Sequence, residues 1–426
     1  MYRRFVPFHL MLLFFVAGLP VQAQENPAPV VTAKPQTPPA AGPDDKKTIE
    51  ATPAKIEIIQ TITSSQSATS DSTQGSDPTL VSTPSSFARR INWTVMLDAY
   101  YAYNFNRPDD NANAGLLLEA RHNRPTLNMV KLNLEKQATL ESPFGFRFDA
   151  VGGPSNQFLL GTKDRARGLE TTRLLWQAYV SYTAPIGNGL TFDFGKFTTP
   201  IGMESVDTKD NFNYSHSYLF NYGPFYHTGL RTKYSFNERV SVTGYLVNAW
   251  DSVGDNNSGK TFGATVSFLP HKKLSLSQTY LTGPENPHDN GNWRNVFNTL
   301  VTFMATEKWT FLGDFVYGND RVTFAPQRNH WTGLAGFARY AFNDRFALSG
   351  RFDMFRDEAG LFSGQKQTLH GYTVTQEVRM MDNLISKFEF RRGVSNQEFF
   401  TASRNRLSKD QNVALMGMTW FFTNKK

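Results

Sequence analysis

Ionisable side chains of both signs recur at alternate positions along the last three quarters of the chain, a spacing that puts them on one face of extended backbone. Arg147, Asp149, Arg173, Arg231, Lys233, Arg351, Asp353, Glu377, Arg379, Glu389 and Arg391 form this set. Asp193, Asp314 and Lys387 share its parity. An isolated ion does not tolerate a dry interior, so a face carrying these groups must be hydrated or paired across neighbouring strands. Their chemistry is that of a polar wall: cross-strand ion pairs, and a field felt by whatever passes.

A second set lies on one long connection after Lys196. It opens Thr199-Pro200-Ile201-Gly202-Met203-Glu204 and becomes dense in Asn, Tyr, Phe and Ser over 211–226. Connections of this length in a compact protein are usually functional or disordered. The aromatic content here argues for packing. Folded inward, the loop narrows the interior and brings Glu204, Asp207, Lys209, Asp210 and His216 to the constriction. On formal charge the three carboxylates outweigh Lys209 by two, which favours cations there. The alternative is a loop displayed on the outer surface.

Other chemistries find little support. With no cysteine, thiol catalysis, disulfides and a lipidated N-terminal Cys are excluded. His122, His216, His227, His271, His288, His330 and His370 are scattered over different segments. No Gly-x-Ser-x-Gly elbow, His-Glu-x-x-His pair or phosphate-cradling glycine loop occurs. His227, on the inward parity, is expected to hydrogen-bond within the interior rather than serve a hydrolase. No catalytic residue, metal site or cofactor is expected. A formal charge of +7, or +5 without Arg3 and Arg4, does not suggest nucleic-acid binding.

The elements that must carry these residues follow from one repeated unit. Phe311-Leu312-Gly313-Asp314-Phe315-Val316-Tyr317 alternates apolar and polar side chains, and Ala347 to Met354 does so again. Short turns such as Asn237-Glu238, 305–308, Asn343-Asp344 and 381–383 tend to alternate with long connections near 107–125, 152–168, 198–222, 251–260, 282–292, 318–328, 356–367 and 393–409. Beyond the N-terminus no apolar run approaches the roughly 20 residues of a spanning helix. Mean hydropathy is −0.42, as half-apolar wall strands would give. The pattern predicts an all-β fold, a transmembrane antiparallel up-and-down β-barrel of about sixteen strands, with fourteen or eighteen also open. The expected strand centres are Leu97, Leu132, Phe148, Ala178, Phe192, Leu230, Val242, Val266, Leu276, Val301, Gly313, Ala338, Phe352, Val374, Phe388 and Gly417. Outward rings at the short-turn side, Trp93, Tyr182, Phe236, Trp309, Phe342 and Phe346, read as an interfacial girdle.

Residues 1–23 read as a cleaved secretory signal: Arg3 and Arg4, an apolar stretch from Phe8 to Leu19, and Val21-Gln22-Ala23 as the cleavage site. Residues 24–90, rich in Pro, Ser and Thr, read as a disordered periplasmic segment, and 91–426 as the barrel.

Three stretches carry a family resemblance: Phe194 to Gly202, Asn213-Tyr214-Ser215-His216-Ser217, and Tyr222 to Gly229. They resemble the OmpL-like beta-barrel porins, over most of 91–426. The end of the chain is similar to the assembly signal of outer-membrane proteins, with Gly417, Trp420 and Phe422 on its glycine and aromatic positions. Leu415 departs from its polar position, and 423–426 extend past the usual terminal aromatic. The resemblance implies an outer-membrane porin and offers no well-defined catalytic residues to carry over. The leading reading is a passive porin through which small hydrophilic solutes and ions diffuse past the inward loop. Expected partners are outer-membrane lipid, the barrel-assembly machinery acting on the last strand, and further copies of the chain, monomer or trimer being left open. The alternatives are a barrel enzyme acting on lipids and an adhesion or structural barrel displaying its loops.

Overall fold

The computed structural model describes residues 91–155, 174–321 and 328–425. The expected signal, the 24–90 segment and Arg173 lie outside the described residues.

Period-two alternation resolves into sixteen wall strands. They are β1 (Asn92–Asn104), β2 (Thr126–Lys136), β3 (Phe144–Gly152), β4 (Leu175–Ala184), β5 (Leu190–Thr198), β6 (Tyr226–Ser235), β7 (Val240–Val247) and β8 (Thr261–His271). There follow β9 (Leu274–Pro284), β10 (Trp293–Met304), β11 (Trp309–Arg321), β12 (Arg328–Ala341), β13 (Phe346–Asp357), β14 (Gln367–Met381) and β15 (Leu384–Ser395). A two-stranded hairpin, β16 (Phe400–Ala402) and β17 (Arg406–Ser408), precedes the last wall strand, β18 (Asp410–Thr423). Each strand pairs antiparallel with its neighbours, and β1 pairs with β18 through Tyr100 opposite Gly417, closing the barrel. The sheet therefore has no open edge, which backbone in lipid requires. All sixteen expected centres fall in separate wall strands, and the strand number is sixteen.

The alternation is clear in β13. Phe346, Leu348 and Phe352 face outward and are exposed, while Ala347, Ser349, Arg351, Asp353, Phe355 and Asp357 face inward and are buried. Repeated around the ring, this leaves an outer band of exposed Phe, Leu, Val and Met that suits lipid and not water. The two near-copied turns share one device. Asn237 accepts backbone N–H from Arg239 and Val240, and Asn343 accepts from Arg345 and Phe346.

What fills the interior departs from a uniformly polar lumen. Toward the long-loop end, inward Leu281, Val296, Val316, Trp331, Phe355 and Leu369 pack with Ile201, Phe212, Tyr218, Leu219, Trp250 and Phe400 from the loops. A second apolar cluster joins Met96, Met129, Val151 and Trp176 to Leu118, Val206 and Phe225. Parity identifies the inward face; it does not reveal that loops cover part of it.

Candidate pore lumen and the loop that enters it

The connection from β5 to β6, residues 199–225, is the expected long loop, and its polar atoms bond to the inner wall. Gly202 adopts φ +97°, a left-handed conformation that glycine takes without steric cost, where the loop turns off β5. From there the chain crosses the ring. Gly202 N–H donates to Asn298 on β10 at 3.1 Å, and Met203 N–H to Asp314 on β11 at 2.9 Å. Tyr218 N–H donates to Asp353 on β13 at 3.0 Å, Asn213 to Thr375 on β14 at 2.7 Å, and Tyr214 N–H to Glu389 on β15 at 2.8 Å. Thr208 meets Thr419 on β18 at 2.8 Å, and Tyr214 Oη donates to Asp98 on β1 at 2.8 Å. Rooted between β5 and β6, the loop thus reaches β13 and β14, which lie half a ring away in the strand order. A short helix, α1 (Tyr218–Tyr222), lies within it, its N-terminus capped by Ser217.

The sequence-predicted residues of this loop divide by role. Glu204 takes Arg351 Nη1 at 2.9 Å and the N–H of Ser217 at 2.8 Å. Asp207 takes Lys131 of β2 at 2.8 Å. His216 is fully buried, with Nδ1 2.9 Å from Glu119 of the β1–β2 loop and its ring 4.1 Å from that of Phe220. Burial alone would lower the His216 pKa, but the adjoining Glu119 carboxylate, with help from Glu204, outweighs it and holds the imidazole above its ordinary value. Lys209 and Asp210 pair with each other at 2.6 Å and keep contact with solvent. Three of the five are therefore anchors, and two face open space.

The wall residues form connected networks. Arg351 also binds Asp353 at 3.0 Å, and Arg391 reaches Asp353 at 3.5 Å and the carbonyl of His216 at 2.6 Å. Glu389 accepts from Thr375 Oγ1 at 2.7 Å, Glu377 takes Arg339 at 2.9 Å, and Arg379 donates to the carbonyl of Asp382 at 3.1 Å. Across the ring, Arg147 binds Asp149 at 3.1 Å and Arg231 binds Asp193 at 2.6 Å. Lys233 faces the same space, and no ion pair of it occurs among the described residues. His227 is buried, its Nε2 3.2 Å from Thr199 Oγ1.

Sequence reasoning missed Lys131, Asp98 and Glu119 as partners. The first two sit on the inward parity, which would have revealed them. Glu119 lies in an irregular loop where no period applies.

The inner wall that stays part-exposed is mainly the short-turn half of β4 to β8, with Ser181, Thr191, Lys233, Ser241, Thr243 and Ser267. Arg231 lies here over the rings of Phe197 and Tyr179, at 4.6 and 5.2 Å. Among the described residues no group of three or more His, Asp or Glu could hold a metal ion.

A closed, lipid-faced antiparallel barrel with charged inner walls and alternating short turns and long loops is the architecture of an outer-membrane porin. The chain belongs to the family described as Putative beta-barrel porin-2, OmpL-like, whose model matches residues 90–422. Among solved structures, the trimer form of OmpT, an outer membrane protein of Vibrio cholerae, is 9% identical with TM-score 0.53, over 78% of this chain and 99% of that one. The outer membrane channel DcaP of Acinetobacter baumannii is 11% identical with TM-score 0.53, over 78% and 97%. An anion-selective porin from Comamonas acidovorans is 11% identical with TM-score 0.51, over 78% and 99%. At such identities the likeness is one of fold. No curated protein matches the sequence.

Proposed function

We propose that this chain, a porin-family barrel of the outer membrane, passes small hydrophilic solutes and ions by diffusion, with the β5–β6 loop narrowing the path. The observation that carries the reading is the loop's span across the ring, fixed to charged and polar wall residues from β10 round to β2. The flank of β4 to β8 is left polar and part-exposed. Residues 1–23 would serve as a cleaved signal, and self-association, as in the trimeric neighbour, is part of the proposal. The family and the sparse catalytic chemistry argue against an enzyme.

The ion pairs change the expected selectivity. Glu204, Asp207 and Asp210 are each met by a cation, Arg351, Lys131 and Lys209, so the loop's formal excess of negative charge is matched locally. On the free flank Arg231 is matched by Asp193 and Lys233 is not matched. A weak anion preference follows, because a charge at a narrow, water-poor place is screened least. Planar-bilayer recordings in a salt gradient test this: a small conductance with an anion-leaning reversal potential is expected, shifting towards zero in Lys233→Gln. The same potential in wild type and variant would remove Lys233 from the path.

The apolar clusters in the long-loop half favour a second reading, a structural or adhesion barrel whose loops fill its mouth. A folded chain silent in bilayers would support it and overturn the first.

A further inference from the structure

The rim above β2, β1, β18 and β15 carries a charge that neither the fold nor a passage through the barrel requires. Here the β1–β2 loop and the 396–409 loop form one surface. Ser403 N–H donates to the carbonyl of Asn106 at 3.0 Å, Asn405 N–H to Asp109 at 2.8 Å, and Asn106 to the carbonyl of Asp410 at 2.6 Å. Arg107, Arg121, Arg124, Arg392, Arg404, Arg406 and Lys409 all stand exposed on it. Of these seven cations only Arg392 has an ion pair among the described residues, with Asp410 at 2.8 Å. The exposed patch holds four carboxylates, Asp109, Asp110, Glu398 and Asp410, leaving a net charge of +3; counted as loops alone, with the buried Glu119 included and the strand residues Arg392 and Asp410 left out, six bases face four acids, an excess of +2. Two of them are occupied by backbone: Asp109 by Asn405 N–H, and Asp110 by Ala112 N–H at 3.0 Å.

The opposite rim is different. Its turns carry five acids and five bases, with no excess. A general need for charge at the membrane edge therefore does not account for the patch.

Position supplies the second half of the argument. Arg107 Nε donates to Tyr103 Oη at 3.2 Å, and Tyr103 is on the outward face of β1. Its ring lies 5.3 Å from that of Phe105, which lies 6.5 Å from Phe390 of β15. Phe105 and Phe390 are half exposed on the lipid side, at 55% and 49%. Cations thus sit directly above an exposed aromatic strip, the arrangement of a site with a polar head and apolar tails. Guanidinium groups bind phosphate through paired N–H donors. Symmetric pairing of two copies through this patch would set like charges against each other.

We propose that this rim binds the phosphorylated headgroup of an outer-leaflet lipid, its acyl chains lying over Phe105 and Phe390. The inference rests on the outer-membrane placement and not on conduction.

The purified full chain is reconstituted in neutral phosphatidylcholine nanodiscs with a few per cent bis-phosphorylated lipid A, and retained lipid is measured by native mass spectrometry after detergent extraction. Arg107→Gln/Arg124→Gln/Arg392→Gln should lose retention about ten-fold or more, the scale of losing charged hydrogen bonds. Lys272→Gln/Lys273→Gln/Lys308→Gln on the opposite rim should retain lipid as wild type does. Dephosphorylated lipid A should not be held. Equal retention by the two variants, equal retention of the dephosphorylated lipid, displacement by millimolar inorganic phosphate, or loss of self-association with lipid binding intact would each overturn the proposal. Heat-modifiable mobility of both variants confirms that they fold.

Discussion

At Gly417 a missing side chain joins the wall to the loop. The residue faces inward on β18, and a Cβ there would overlap the ring of Tyr214, which fills the space and hydrogen-bonds Asp98. Gly417→Val should leave the outward Trp420 and Phe422 pattern intact, so the barrel assembles, but Tyr214 must leave and the loop must shift. A raised single-channel conductance with normal heat-modifiability is the expected result; unchanged conductance would show that the loop does not limit the path. Arg351 is the complementary case, a fully buried cation shared by Glu204, Asp353 and the carbonyl of Ser215. Arg351→Met leaves Glu204 buried without its cation and should destabilise the folded barrel by about 3–5 kcal/mol, measured as a lower denaturant midpoint. The glycine was legible in the sequence as a strand position. Its tenant was not, because Tyr214 reaches it from a loop distant in the chain.

The β5–β6 loop behaves as an element held by its ends and its middle, and the middle contains a titratable clasp. His216 and Glu119 join it to the β1–β2 loop in a fully buried contact. Because the folded protein raises the imidazole pKa, the clasp contributes fully below the unfolded value of about 6.5. Its contribution is lost as pH rises through the higher folded value. Raising pH beyond that value should therefore loosen the two loops, seen as faster cleavage within 199–225 by an added protease. His216→Gln should abolish this pH dependence, and an unchanged profile in the variant would assign the effect to another group. At this scale the sequence shows strands and turns plainly, since period two and paired Asn turns are local signals: Phe236-Asn237-Glu238-Arg239 and Phe342-Asn343-Asp344-Arg345 do use the same cap. The loop's length and aromatic density marked it as packed. Which residues it packs against depends on which strands face one another across the ring, and no local period encodes that. The sequence therefore offers Glu204 and Asp207 as constriction charges without their wall partners, Arg351 and Lys131, which the fold supplies.

For the whole molecule, closure decides whether a barrel exists at all. β18 is paired through eleven residues with β1 and through eleven with β15. Deleting 413–426 exposes both neighbours to lipid, where each unpaired backbone group costs several kcal/mol. The remaining strands cannot simply close the gap. β1 and β15 are each antiparallel to β18, so they run parallel to each other, and their juxtaposition would break the up-and-down pattern. The truncated chain should therefore give no heat-modifiable species on refolding and none in the outer membrane. Replacing the tip of the β16–β17 hairpin, residues 403–405, by a two-glycine turn should leave assembly intact: the hairpin's strands lie outside the barrel sheet, and the change removes only the tip's contacts with the β1–β2 loop, from Ser403 to Asn106 and from Asn405 to Asp109. If the truncated chain still folded, closure would have to come from a different pairing of β1; if the hairpin variant failed as well, loop packing and not the seam would be what completes the barrel.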